Sequence, residues 1–354
     1  MLNTALATIH LPALRHNLNL IRTLCPHSRA LVMLKANAYG HGLLQVAQSL
    51  PNADAFAVAR LQEAITLRQS GINQRLLLLS TLLDSTDLAL CSNQNIDVVA
   101  HDPLSLERIL TQARLTPLRV WLKLDSGMHR AGLDERAFIK ADRQLSDHPG
   151  ILELVHMTHF ASADNATSRN RQLARFSKCR EQTSKAPASL ANSAAIIESS
   201  DTHADWVRPG LMFYGVTPTG VENAPPLRPA MTLHSYVIAI RDLDAGEAVG
   251  YDGRWTTKRR SRIGLIGIGY GDGYPRHAKN DTPVWINGKL VPLVGRVSMD
   301  TLTVDLTDCD HVAVGDQVEL WGANLAVTTV AEHADTIAYE LLTSIQDRVT
   351  RVYV

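Results

Sequence analysis

Eight short apolar runs, each followed by a longer amphipathic segment, recur between about residues 29 and 213 and constrain the fold more than any other feature. The runs are 30–35, 55–59, 75–80, 97–100, 119–124, 151–160, 188–191 and 206–215. Continuous apolar strands of this kind are typical of a parallel sheet that helices cover on both faces. Eight such units over about 200 residues predict a (β/α)8 TIM barrel rather than an open doubly wound sheet.

The segments between the runs carry helix signals. Residues 60–71 place apolar side chains at helical spacing and end at Gly71, which predicts a C-terminal cap. Residues 102–113 open with Asp102 as an N-cap and Pro103 at the first helical position.

The pattern changes after Leu227 to short, alternating, β-branched runs broken by Gly, Asp and Asn, which predict an all-β C-terminal domain. The tripeptide at 287–289, Asn-Gly-Lys, predicts a hairpin. The tail predicts a helix over 330–345 and a last strand over 348–354. We therefore divide the chain into an N-terminal strand that joins the β domain, the barrel and the β domain, at 1–10, 11–227 and 228–354.

The charge balance and the cysteines restrict the environment and the partners. Lys plus Arg and Asp plus Glu number 35 each, so no basic excess would bind nucleic acid. The four cysteines have no CxxC spacing, which indicates free thiols in a reducing cytosol. The sequence shows no signal peptide and no apolar stretch of the roughly 18 residues that suggest a membrane span. These features predict a cytoplasmic protein.

Chemically active side chains fall at the predicted strand ends, which meet at one rim of a TIM barrel. Lys35 ends the first run, and Arg208 lies in the eighth. Taken alone, each of these residues is more often a surface or structural residue. Only their predicted location at the same rim of the barrel favours a functional site. A buried lysine has a lowered pKa and can form a Schiff base, as pyridoxal-phosphate (PLP) enzymes require. Ser193, at a predicted helix start, and residues 210–211 could bind the phosphate.

Other kinds of site are disfavoured. His156 and His159 are three apart in a predicted strand and should point to opposite faces, and no other His, Cys and Asp spacing indicates a metal site. The glycine-rich stretch 267–273 does not follow a strand–turn–helix plan, so it does not predict a dinucleotide site.

Nine motifs, in order along nearly the whole chain, resemble those of the alanine racemases. They are KANAYGHG (35–42), LDSGMHRAG (124–132), THFASAD (158–164), ANSAA (191–195), VRPGLMFYG (207–215), VGYDGRW (249–255), GIGYGDGYPR (267–276), GRVSMD (295–300) and AYE (338–340). The resemblance implies a PLP-binding barrel, a C-terminal β domain, alanine as substrate, and a homodimer with active sites shared across its interface.

The resemblance also implies a role for each matching residue. Lys35 would carry PLP as an internal aldimine and serve the D-enantiomer as a base, and Tyr251 would be the opposite base, serving the L-enantiomer. Arg208 would face the pyridine nitrogen, and Arg130 would contact the phenolic oxygen and the substrate. The phosphate would be bound by Tyr39, Ser193, Gly210, Leu211 and Tyr339. His159 would orient Tyr251, and Met299 and Asp300 would lie near the substrate carboxylate. Tyr270 would narrow the entrance, and Lys123 matches a lysine that is often carbamylated in the family.

Tyr251 must lose its proton to act as a base, and cationic surroundings, chiefly His159 and Arg208, would favour its phenolate. One residue departs from the family pattern, because Asp252 follows this tyrosine where glycine is common.

The sequence favours alanine racemisation, which would supply D-alanine for peptidoglycan. A PLP racemase of broader specificity and a related PLP decarboxylase are alternatives within the same fold. A non-catalytic PLP-binding barrel protein is an alternative of another class, although it would need no second base.

Overall fold

The computed structural model describes residues 4–79, 82–221, 224–309 and 311–354. Residues 1–3 of the predicted N-terminal strand and Ser80 of the run 75–80 lie outside the described residues. Within the described ranges, no helix combines the length and the apolar character that crossing a membrane demands.

Eight parallel strands form a closed barrel, which confirms the predicted (β/α)8 fold. The strands pair in chain order, and the last closes on the first through Arg29 and Trp206. They are β2 (Arg29–Met33), β3 (Ala55–Val58), β4 (Arg75–Leu78), β5 (Ile96–Ala100), β6 (Leu118–Lys123), β7 (Ile151–Met157), β8 (Ala188–Ser189) and β9 (Trp206–Val207). One further strand, β1 (Leu6–Ile9), precedes the barrel.

Several strands are shorter than the apolar runs that predicted them. β9 ends at Val207, and the rest of its run continues as a buried 3₁₀ turn, Leu211–Tyr214. Apolar runs report burial, and buried turns satisfy that pattern as well as strands do. Lys35 and Arg208 consequently lie just beyond the ends of β2 and β9 rather than within the strands.

Helices surround the barrel. They are α1 (Leu11–Leu24), α3 (Leu43–Gln48), α4 (Leu61–Gln69), α5 (Ser85–Asn93), α6 (Pro103–Ala113), α7 (Glu135–Ser146), α8 (Ala166–Arg180) and α9 (Ser193–Glu198), and a one-turn segment α2 (Lys35–Tyr39) follows β2. The predicted cap of α6 is confirmed, because the Asp102 carboxylate accepts hydrogen bonds from the N–H groups of Leu104 and Ser105. Gly71 follows α4 with a φ of +80°, as the predicted C-terminal signal requires.

The C-terminal part is built on an eight-stranded sheet. Its elements after β9 are β10 (Met231–Leu243), β11 (Ala248–Val249), β12 (Trp255–Thr256), β13 (Ser261–Ile266), β14 (Pro283–Ile286), β15 (Lys289–Pro292), β16 (Leu302–Asp305), β17 (Gln317–Trp321) and β18 (Thr350–Tyr353), with β11 and β12 as a separate hairpin. β1 pairs antiparallel with β10 and parallel with β18, so the first strand of the chain lies in this sheet. The predicted hairpin at Asn287 joins β14 to β15.

The tail forms two helices rather than the single predicted one: α10 (Val327–His333) and α11 (Ala338–Thr343). Between them the chain turns through Asp335, which has a φ of +47°.

The segment around α11 packs closely against the turn after β2. A Cβ atom on Gly40 would lie 2.0 Å from the carbonyl oxygen of Leu342, and Gly40 itself has a φ of +80°. Arg351 Nε also donates a hydrogen bond of 2.7 Å to the Gly40 carbonyl. This contact, which only glycine permits, brings the C-terminal part of the chain to the mouth of the barrel.

Candidate active site

A cavity of about 560 Å³ opens at the carboxyl ends of the barrel strands. It is lined by eight residues that the sequence predicted for the site: Lys35, Tyr39, Arg130, His159, Ser193, Arg208, Gly210 and Tyr339. Its other lining residues are Met33, Ala36, Asn192, Ile337, Glu340 and Thr343. The barrel and the C-terminal tail therefore form this cavity together.

Lys35 begins a left-handed turn. Four consecutive residues that are not glycine, 36–39, have φ values of 50–55°. Left-handed backbone costs about 1–2 kcal/mol for each such residue, so the surrounding structure must hold this turn in place. The Asn37 side chain does so by accepting a hydrogen bond of 2.8 Å from the Leu43 N–H, and His41 Nδ1 contacts the Tyr39 carbonyl at 2.9 Å. The turn places the Tyr39 ring against the cavity.

The Lys35 amine lies in a partly buried, cationic environment. Burial lowers its pKa, and the positive charges of Arg130 and Arg208 lower it further, while Glu63 opposes them. A lysine with a lowered pKa has a larger neutral fraction, and the neutral amine is the form that acts as a nucleophile or a base.

Arg208 is a buried cation held by neutral acceptors. Its Nη1 donates to Ser189 Oγ at 2.7 Å, and its Nη2 contacts the carbonyls of Thr158 and Leu190 and His159 Nδ1. Burial lowers its pKa to about 10, so the guanidinium stays charged at neutral pH. Across the described ranges no carboxylate forms an ion pair with Arg208, which leaves its charge available to a ligand in the cavity.

The contact with Arg208 decides the tautomer of His159. A guanidinium can only donate, so His159 Nδ1, 3.1 Å from Arg208 Nη2, must accept. The single ring proton is therefore on Nε2. Burial and the nearby charge of Arg208 lower the His159 pKa well below its usual value, so the ring is neutral. The expectation that His159 supplies positive charge is thus wrong, because burial beside Arg208 disfavours the imidazolium.

A small polar recess lies between α9 and the turn after β9. Ser193 Oγ accepts hydrogen bonds from the N–H groups of Gly210, at 2.9 Å, and Met212, at 3.3 Å. A Cβ atom on Gly210 would lie 2.7 Å from the Tyr39 hydroxyl, so glycine lets the Tyr39 ring approach this turn closely. Leu211 is buried in the turn and does not line the cavity.

Lys123 lies at the end of β6, buried beside the cationic cluster. Burial, Arg208 and Arg130 together lower its pKa to about 8. His156, on the neighbouring strand, bonds to Asp142 of α7 at 2.7 Å, whereas His159 faces the cavity. The two histidines point apart as predicted, but His159 lies beyond the end of β7 rather than within the strand. No cluster of His, Cys, Asp or Glu suited to a metal ion occurs among the described residues.

Besides Leu211 and Lys123, four predicted site residues of the C-terminal part do not line the cavity of their own chain: Tyr251, Tyr270, Met299 and Asp300. Tyr251 is 67 % exposed and Met299 is 54 % exposed. Asp300 pairs with Arg348 at 2.7 Å. These residues lie in turns and loops of the C-terminal part, and none of them lines the cavity that contains Lys35 of the same chain.

Asp252, which departs from the family pattern, has a φ of +62° and pairs with Arg296 at 3.1 Å. Positive φ explains why glycine suits this position, and aspartate is among the few other residues that tolerate it. The turn that carries Tyr251 therefore forms despite the substitution.

Six residues that the sequence did not mark complete the cavity: Met33, Ala36, Asn192, Ile337, Glu340 and Thr343. Asn192 lies in the motif ANSAA and Glu340 in the motif AYE, so these motifs could have indicated both residues. Ile337 and Thr343 carry no signal of their own, because only the packing of α11 on the Gly40 turn brings them to the barrel.

Comparisons with known proteins agree with this architecture. The alanine racemase N-terminal domain family matches residues 9–218, and the alanine racemase C-terminal domain family matches residues 230–353. The chain belongs to the alanine racemase family. An alanine racemase from Chromohalobacter salexigens is 46 % identical over 354 residues, covering 98 % of this chain and 97 % of the relative.

Solved structures of the family share the whole fold. The biosynthetic alanine racemase from Pseudomonas aeruginosa is 42 % identical with a TM-score of 0.95, and the match covers 100 % of both chains. The alanine racemase from Bartonella henselae, solved with covalently bound pyridoxal phosphate, is 32 % identical with a TM-score of 0.92, covering 99 % of each chain. The whole chain therefore has the fold of these solved alanine racemases.

Proposed function

We propose that this protein is a PLP-dependent enzyme that interconverts L-alanine and D-alanine by a two-base mechanism. The observation that carries the proposal is the convergence of Lys35 and Arg208 in one cationic cavity of an alanine racemase fold. We further propose that it works in the cytoplasm as a homodimer, where D-alanine supplies peptidoglycan synthesis.

The residues present fit PLP. The cavity gathers the positive charges of Lys35, Arg130 and Arg208, which suit an anionic ligand. Gly210 lets the Tyr39 hydroxyl lie close to the turn after β9, which brings these two proposed phosphate-binding residues together. Lys35 would hold PLP covalently, Arg208 would donate to the pyridine nitrogen and Arg130 to the phenolic oxygen. The phosphate would be bound by Tyr39, Ser193, Gly210, Leu211 and Tyr339, and Leu211 could contribute only its backbone N–H because its side chain is buried.

PLP, when bound, withdraws electrons from the substrate α-carbon and so acidifies its α-proton. The residues of the chain then move that proton. Lys35 Nζ takes or returns it on one face of the substrate, and Tyr251 Oη does so on the other. Met299 and Asp300 would lie near the substrate carboxylate, and Tyr270 would narrow the entrance.

The tautomer of His159 gives it a specific role toward Tyr251. Because Nδ1 accepts from Arg208, the Nε2–H remains to donate. A hydrogen bond from this N–H to the Tyr251 oxygen would stabilise the phenolate that acts as a base. The neutral ring would thus support Tyr251 by donation rather than by charge.

The position of Tyr251 supports a site shared between two subunits. Its side chain is exposed and does not line the cavity of its own chain. The side chains of Tyr270 and Met299 are exposed as well. A second copy of the chain, placed with its C-terminal loops over the cavity, would bring its own Tyr251 opposite Lys35.

An assay on several substrates tests the proposed function. The purified protein, supplied with PLP, is incubated with a panel of L-amino acids, and the enantiomers are separated by chiral chromatography. We expect D-alanine to form fastest. Similar rates with several amino acids would instead indicate a broad-specificity racemase, carbon dioxide release a decarboxylase, and no turnover with bound PLP a non-catalytic carrier.

We also propose that Lys123 forms a carbamate. Its Nζ would attack the carbon of CO₂, form an N–C bond and release a proton, so only the neutral amine reacts. With a pKa of about 8, about one amine in ten is neutral at pH 7, far more than for a free lysine. The resulting negative charge would compensate Arg208 and Arg130.

The carbamate is expected to give a ¹³C resonance when the protein is placed in ¹³C-labelled bicarbonate. The signal should weaken as the pH falls below 8, because the amine becomes protonated, and it should be absent in Lys123→Ala. Lys140→Ala, on an exposed helix position, is the matched control and should keep it. An unlabelled Lys123 in the wild-type protein at pH 8 would disprove the carbamate.

A further inference from the structure

A buried amide connects two loops that carry proposed catalytic groups. Gln172, in α8, is 2 % exposed and does not line the cavity. We propose that Gln172 is a positioning residue, which fixes the loop carrying His159 against the loop carrying Arg130. This inference rests on the proposed function and assigns a role to a residue that touches neither substrate nor cofactor.

The Gln172 amide uses each of its polar groups. Its Oε1 accepts a hydrogen bond of 2.9 Å from the Ala161 N–H, and its Nε2 donates to the His159 carbonyl at 3.2 Å and to Ser126 Oγ at 3.2 Å. A backbone N–H can only donate and a carbonyl can only accept, so these two neighbours fix the orientation of the amide. An amide thus matches the site, whereas a carboxylate or an apolar side chain would leave buried groups unpaired.

The bond to Ser126 continues as a directed chain. Thr158 Oγ1 donates its only proton to the Leu124 carbonyl at 3.0 Å. Ser126 Oγ, 2.7 Å from Thr158 Oγ1, must therefore donate to it, and Ser126 must accept from Gln172. Three hydrogen bonds consequently run in one direction from α8 through both loops to the end of β6.

The same loop segment contacts Arg208 from the other side. Arg208 Nη2 donates to the Thr158 carbonyl and to His159 Nδ1. Residues 158–159 are thus held between Gln172 on one side and Arg208 on the other. Removing the Gln172 donors would free the His159 backbone, and the Nε2–H of His159 would lose its fixed direction.

Two variants remove these donors in different ways. Gln172→Glu keeps an oxygen for the Ala161 N–H but sets a carboxylate against the His159 carbonyl. Gln172→Met keeps a similar volume with no hydrogen bond, so it serves if the glutamate variant fails to fold. Gln112→Met is the matched control, because Gln112 is also buried in a helix, 4 % exposed, and its Nε2 donates at 2.8 Å to Thr116.

The measurement is α-proton exchange of L-alanine and of D-alanine in deuterated water by the PLP-loaded protein, with bound PLP quantified by absorbance. Because His159 supports Tyr251, we expect the Gln172 variants to slow exchange of L-alanine about tenfold more than exchange of D-alanine. Gln112→Met should leave the ratio of the two rates at the wild-type value.

An unchanged ratio in a folded, PLP-loaded Gln172 variant would overturn the positioning role, even if both rates fell, because a merely structural role lowers both together. Failure of the proposed function would give a different exchange result. In that case the wild-type protein itself would exchange neither enantiomer.

Discussion

Tyr251→Phe is expected to slow racemisation of alanine about 10²–10⁴-fold, the contribution typical of a general base. The substitution removes only the hydroxyl that would carry the proton and keeps the ring. Tyr251 is exposed in the single chain, so the fold and the PLP content should not change. The rate is measured in both directions by chiral chromatography.

The loss should fall on one enantiomer. In deuterated water, Tyr251→Phe should still exchange the α-proton of D-alanine through Lys35, while exchange of L-alanine becomes far slower. Tyr236→Phe, in β10, is the control and should exchange both at the wild-type rate. Equal exchange of the two enantiomers by Tyr251→Phe would refute the two-base assignment.

Lys35→Ala is expected to lower activity by more than about 10⁴-fold, because the change removes both a base and the covalent attachment of PLP. The wild-type protein, treated with borohydride in the presence of PLP, should gain the mass of reduced PLP on the peptide that contains Lys35. The variant should gain none, and Lys140→Ala should label like the wild type. If the wild-type protein binds no PLP, the interpretation of the cavity as a PLP site is wrong.

Mixing the two inactive variants tests the shared site. If Tyr251 acts in the cavity of the partner subunit, a heterodimer of Lys35→Ala and Tyr251→Phe chains contains one intact site and one site that lacks both bases. With random exchange between twofold dimers, about a quarter of the wild-type activity should return. Exchange of differently labelled subunits without any return of activity would place Tyr251 in the site of its own chain.

The sequence alone determined the barrel and the order of the motifs. A strand buried on both faces must be apolar throughout, so the eight runs predict β2 to β9 without knowledge of their contacts. Local signals were equally direct: Asp102 caps α6 and Asn287 starts a hairpin turn, because each acts on neighbours within a few residues. The lengths of the strands were less predictable, since buried turns such as Leu211–Tyr214 are also apolar.

Only the tertiary structure decided the chemistry of the site. The neutral state of His159 depends on its burial beside Arg208, 49 residues further along the chain, and no local pattern reports such burial. The left-handed turn after Lys35 consists mostly of residues that disfavour it, so its surroundings impose it. The directed hydrogen-bond chain through Gln172 likewise exists only where α8 meets two strand ends. Sequence patterns indicate which side chains are buried. The hydrogen-bond partners that determine where a proton lies depend instead on how distant segments of the chain pack together.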